Sequence, residues 1–109
     1  MPLYMTQFSY TSEAWSALAK NPQDRGQGFA ALTESLGGRF HNLYYCFGDY
    51  DGIVMYEADD DRSAAALVVA AITPGHLRAT KTTPLFTVEE ALDIMRRAGE
   101  ATYAGPSPG

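Results

Sequence analysis

The chain has 109 residues, 46% of them hydrophobic and 19% charged, which suits one compact domain and rules out a disordered acidic chain. Eight Lys and Arg stand against thirteen Asp and Glu, a net charge of −5. No basic run exists to neutralise phosphates, so neither nucleic acid nor an anionic membrane surface is an expected partner. The single cysteine, Cys46, excludes an internal disulfide and the CxxC frameworks of zinc and iron–sulfur sites.

Leu3 to Tyr10 is rich in β-favouring residues and predicts the first strand. Thr11 or Ser12 can cap a helix, with Glu13 in its first turn and Trp15 and Leu18 one turn apart. Asn21-Pro22 interrupts that helix, because proline disfavours α geometry at the residue before it. Helix resumes near Asp24, where Phe29, Leu32 and Leu36 form an apolar stripe that Gly37-Gly38 ends. Arg39–Phe47 and Gly52–Ala58 read as a hairpin around the turn cluster Gly48 to Gly52. Asp59 to Asp61 mark the start of an alanine-rich helix that runs to about Ile72 and stops at Pro74-Gly75. Its longest apolar run, Ala64 to Ile72, is about half of the ~20 residues a membrane span needs. His76 to Thr82 is the fourth strand. Thr87-Val88-Glu89-Glu90 is a capping-box pattern, followed by Val88, Leu92 and Met95 on one helical face. The domain is expected over residues 1–103, with a flexible tail over 104–109. The first ten residues lack a basic, then apolar, leader, so a cytoplasmic location is expected.

The order β-α-β-β-α-β plus a C-terminal helix is the ferredoxin-like α+β arrangement, an antiparallel sheet with helices on one face. Strict alternation puts Phe40, Tyr44 and Cys46 on one face of the second strand and His41, Leu43, Tyr45 and Phe47 on the other. Both faces carry large apolar groups, and Cys46 is expected to be buried. One helix layer covers one face only, so a second copy is expected to cover the other, giving a homodimer with a barrel-like space between the sheets. The alternative is that the C-terminal helix folds over that face.

The segment Phe47-Gly48-Asp49-Tyr50-Asp51, with Ile53 to Glu57 and Asp60 after it, resembles the GYD-domain family of small bacterial proteins. Phe8-Ser9-Tyr10-Thr11, Pro22-Gln23-Asp24-Arg25 and Gly37-Gly38 support the likeness, which spans Leu3 to Phe86. Asp49 splits the family triplet here, leaving Gly48, Tyr50 and Asp51 as the motif residues. The resemblance implies a dimeric α/β-barrel fold and leaves the activity open, since related barrels include cofactor-independent monooxygenases, haem-degrading enzymes and small-ligand binders.

The candidate chemistry is spread along the chain. Asp49 and Asp51 open like a calcium loop, but Ile53 stands where that loop needs a ligand, so hairpin capping is the plainer role. His41 and His76 lack metal-ligand spacing, and no metal is expected. No cofactor is expected either, with haem ligation by His41 the minority alternative. Tyr10, Tyr44 and Tyr56, three of seven tyrosines, are candidates to line a ligand cavity or a dimer interface. Arg25, Arg78 and Lys81 are the cations that could meet an anionic ligand group, Arg25 above all. An ion pair with Asp24 or Glu57 is the alternative for Arg25. Three functions follow: a homodimer that binds a small ligand or is purely structural, a monooxygenase- or isomerase-like enzyme, or an interaction module that regulates a partner through its acidic surface. The enzyme would act on a small aromatic or carbonyl compound, with Tyr10, His41 or Asp51 moving protons. It needs at least two of Tyr10, Arg25, His41 and Asp51 around one pocket.

Overall fold

The computed structural model describes residues 1–108. Its elements are β1 (Leu3–Tyr10), α1 (Ser12–Lys20), α2 (Gly26–Ser35), β2 (Arg39–Tyr45), β3 (Gly52–Glu57), α3 (Asp61–Ile72), β4 (Leu77–Leu85) and α4 (Val88–Glu100). The four strands pair antiparallel in the order β2-β3-β1-β4. This is the ferredoxin-like α+β fold expected from the element order.

Local chemistry explains the boundaries. The Thr11 hydroxyl accepts from the Ala14 amide at 3.1 Å and opens α1. The break at Asn21-Pro22 ends it, and Asp24 Oδ1 accepts from the Gly26 amide at 2.8 Å where α2 begins. Gly37, at φ 78°, supplies the left-handed turn after α2. Asp60 caps α3 by accepting from the Ser63 amide at 2.9 Å. Thr87 and Glu90 form the full capping box of α4.

The even positions of β1, namely Tyr4, Thr6, Phe8 and Tyr10, are buried together with Val54 and Tyr56 of β3. Ala14, Ala64 and Leu67 of the helices complete this core. Each large apolar side chain buried there contributes about 1.5–3 kcal/mol. The Tyr56 hydroxyl lies 2.8 Å from Thr6 Oγ1, which lies 2.9 Å from Thr82 Oγ1, whereas the buried Ser9 hydroxyl has no partner among the described residues. The opposite sheet face carries Leu3, Met5, Ile53 and Met55, all half-buried, and no helix layer covers it.

Three expectations need correction. A bulge between Phe40 and Asn42 shifts the β2 register, so Phe40 and Leu43 stand opposite Tyr56 and Val54 on the helix side. Tyr44, opposite Ile53, falls on the uncovered face, and the strict alternation assumed for β2 breaks at His41. β2 also stops at Tyr45, which leaves Cys46 exposed in the turn, its thiol donating to the Tyr50 carbonyl at 3.3 Å. β4 runs on to Leu85, since it is an edge strand and tolerates Pro84.

α4 does not fold over the uncovered face. It buries none of its residues, and the molecule extends over 63 × 34 × 22 Å. Its radius of gyration is 18.0 Å, against about 13 Å for a compact chain of this length. The residues from Ala101 to Pro108 form no helix or strand, and Gly109, the end of the expected tail, lies outside the described residues. Among the described residues no helix is long and apolar enough to cross a membrane.

Candidate functional site

The motif residue Asp51 ties the β2–β3 turn to the end of β1 and the start of α1. Its Oδ2 accepts from the Tyr10 amide at 2.9 Å and from Trp15 Nε1 at 3.0 Å. Its own amide donates to the Phe8 carbonyl, and its carbonyl accepts from the Cys46 amide, both at 2.8 Å. Gly48 adopts φ 136°, a conformation side chains rarely take. Gly52 is required for space, because a Cβ there would run into the buried Phe8 ring. The motif therefore shapes one corner of the fold. Five aromatic rings pack at that corner: Phe8, Tyr10, Trp15, Phe29 and Tyr45.

Tyr10 joins this corner to a groove on the helix side. The groove has a volume of about 340 Å³, at the small end of the range for ligand pockets. Ala14, Ala17, Leu18, Phe29, Leu32, Ala70, Ala71 and Leu77 make its walls apolar. Arg25, Gln23, His76 and Tyr10 provide its polar groups. Arg25 folds back over Gly28, where a Cβ would meet the guanidinium at 2.9 Å. Among the described residues it makes no ion pair, and its one side-chain bond is a 3.5 Å contact to Gln23 Oε1. The alternative pairing with Asp24 or Glu57 is not formed.

Burial, then the 3.1 Å bond to the Tyr45 hydroxyl, pushes the Tyr10 phenol far above its ordinary pKa, with Arg25 acting weakly in the opposite direction. Burial also raises Tyr56, although its bonds to Thr6 and Thr82 oppose the shift. Tyr4 is pushed up to about 12 by burial and by donating to Asp61 Oδ1 at 2.7 Å.

The structure brings some of the sequence-selected residues together and separates others. Tyr10 and Arg25 share the groove, and Asp51 touches Tyr10 through its amide. His41 sits at the bulge of β2, its Nε2 2.8 Å from Glu57 Oε2, and His76 lines the groove instead. His41 holds the Glu57 carboxyl below its ordinary pKa. Tyr44 stands on the uncovered face beside a shallow depression lined by Leu3, Met5, His41, Ile53 and Met55. Tyr56 lies beneath the helices, so Tyr44 and Tyr56 face opposite sides of the sheet. Lys81 pairs with Gln7, and neither it nor Arg78 lines the groove. Among the described residues no three His, Cys, Asp or Glu side chains gather as metal donors.

Sequence reasoning did not single out Trp15 or Tyr45 for this corner. Trp15 sits one turn after the Thr11 cap, a spacing that could have marked it. Tyr45 was hidden by the bulge.

A four-stranded antiparallel sheet with helices on one face defines a protein of the ferredoxin-like α+β fold. The GYD domain model matches residues 4–95, and the chain belongs to the GYD domain family. No curated protein matches it. Among solved structures it is similar to MtbAldR, with 17% identity and a TM-score of 0.58 over 79% of this chain. The chain spans about half of that protein's length, 53%. It is also similar to TTHA0845 from Thermus thermophilus, with 16% identity and a TM-score of 0.52, over 80% of this chain and 95% of the other. The hypothetical protein PHS023 from Pyrococcus horikoshii matches at 14% identity and a TM-score of 0.50, over 80% and 92%. At these identities the likeness is one of fold.

Proposed function

We propose that this protein is a small homodimeric ligand-binding protein whose helix-side groove takes a compact apolar anion, such as a single-ring carboxylate. The observation that carries this reading is Arg25, a guanidinium without a carboxylate partner among the described residues, lining a groove of about 340 Å³ with apolar walls. A planar guanidinium engages a carboxylate in two parallel hydrogen bonds. Tyr10, Gln23 and His76 offer further hydrogen bonds to its ligand. The partner copy is assigned to the uncovered sheet face, where Leu3, Met5, Tyr44, Ile53 and Met55 otherwise meet water. Two sheets meeting there enclose a space between them, as the element order suggests.

Tyr10 and Arg25 share the groove, which meets the minimum set for an enzyme. Binding is nevertheless favoured over proton-transfer chemistry because the three proton-transfer candidates, Tyr10, His41 and Asp51, do not converge there. His41 is engaged with Glu57 on β3, and the Asp51 carboxylate is occupied by Tyr10 and Trp15. Calorimetric titration with benzoate and with neutral benzamide tests the reading. Benzoate should bind the wild type at least about tenfold better than benzamide, and Arg25→Gln should lose about ten- to a hundredfold in benzoate affinity, the usual worth of a charged hydrogen bond. Absence of benzoate binding, or equal binding by Arg25→Gln, would refute it.

A further inference from the structure

α4 is a well-specified helix with nothing to pack on. Val88, Ala91, Leu92 and Met95 lie along one side, flanked by Ile94 and Ala98, while Glu89, Glu90, Asp93, Arg96, Arg97 and Glu100 all fall on the opposite side. The capping box and the 3.0 Å Asp93–Arg97 pair support the helix locally. Yet Val88 is 79%, Leu92 43% and Met95 64% exposed. An isolated helix of this length is marginal in water, so its stripe needs a surface. Its own domain supplies none, since α4 buries no residue and the chain is drawn out to 63 Å.

The same chain leaves a second apolar surface uncovered, the sheet face of Leu3, Met5, Ile53 and Met55. We propose that α4 is an exchange arm: each copy seats its apolar stripe on the uncovered sheet side of a second copy of this chain. One two-fold operation then satisfies both surfaces of both copies in a closed pair. α4 follows β4, the edge strand, so it leaves from the flank where two facing sheets stay open. The charged side of α4 then remains in water.

Area supports the arm. Four strands at about 4.8 Å spacing and about 20 Å length offer about 400 Å² per copy, so sheet contact alone buries about 800 Å² in total. That is the level of a weak contact. A 13-residue helix is about 20 Å long and about 10 Å wide, so each docked arm takes about half of the face it seats on, and two arms bury about 800 Å². The half of each face left to sheet contact adds about 400 Å², and the total of about 1,200 Å² reaches the lower end of the range for stable interfaces.

This inference rests on the homodimer proposed above, and one experiment separates the two. The mass of the full chain is followed by light scattering over a dilution series, for the wild type, Leu92→Glu/Met95→Glu and the milder Leu92→Ala/Met95→Ala. Trp15 emission checks that the body of the fold is intact, which is expected because α4 buries nothing in its own chain. Amide exchange of residues 88–100 is read alongside. The expected result is a wild-type dimer with protected α4 amides, weakened at least about tenfold by both double variants, with α4 protection lost on dilution. A dimer that is unaffected by either variant overturns the arm and leaves the pairing of sheet faces standing. A wild-type monomer overturns both.

Discussion

Asp51→Ala removes one acceptor that serves two donors. Tyr10 is 5% exposed, so its amide would lose its partner where water cannot replace it, at a cost of about 1–3 kcal/mol. Trp15 is 40% exposed, so water can take over its indole N–H, and that bond adds only about 0.5–1.5 kcal/mol. The expected loss is about 2–4 kcal/mol, a large share of the stability of a small domain. Asp51→Asn keeps a carbonyl oxygen that can accept both bonds and loses only their charge assistance, so it should cost about 1 kcal/mol. The assay is urea unfolding followed by Trp15 emission, with all variants at one protomer concentration because association contributes to stability. With a slope of about 2 kcal/mol/M, Asp51→Ala should lower the midpoint by about 1–2 M and shift native Trp15 emission to the red. A midpoint within about 0.3 M of wild type, with unchanged emission, would show that the carboxylate holds nothing together. The motif would then have to be explained by ligand chemistry.

Gly52→Ala should destabilise the protein by about 1–3 kcal/mol, because the new Cβ meets the fully buried Phe8 ring, and thermal unfolding reads the loss directly. An unchanged melting temperature would mean that the ring can move aside. Alkaline conditions should unfold the protein through its buried phenols. The folded-state pKa of Tyr4 is about 12 against an ordinary 10.0, and Tyr10 and Tyr56 are raised as well. A raised pKa means that the fold favours the neutral form, so this stability is complete below pH 10 and is lost as pH rises from 10 towards 12. Urea midpoints across that range, with tyrosinate absorbance as the second probe, should fall together. A flat midpoint would exclude this linkage.

The local elements were legible in the sequence, because their signals act within a few residues. The Thr11 and Asp60 caps, the break at Asn21-Pro22, the turn at Gly37 and the Thr87–Glu90 capping box all appear where the residue types place them. The order of those elements was enough for the ferredoxin-like topology, and the residues around Gly48-Asp49-Tyr50-Asp51 were enough for the family. The site was only partly legible. Tyr10 and Arg25 were chosen from the sequence and share the groove, whereas His76 enters it only because β4 starts beside β1 and α3. One extra residue at His41 reverses the face of every later side chain in β2, and no local propensity announces such a bulge. Only the folded chain puts Tyr44 and Tyr56 on opposite sides of the sheet and hands the Asp51 carboxylate to Tyr10 and Trp15. The separation of α4 from its own domain likewise emerges at that level. All three have one cause. Capping and turn formation are settled by neighbours along the chain, while strand register and the docking of an amphipathic helix depend on surfaces brought together from distant segments.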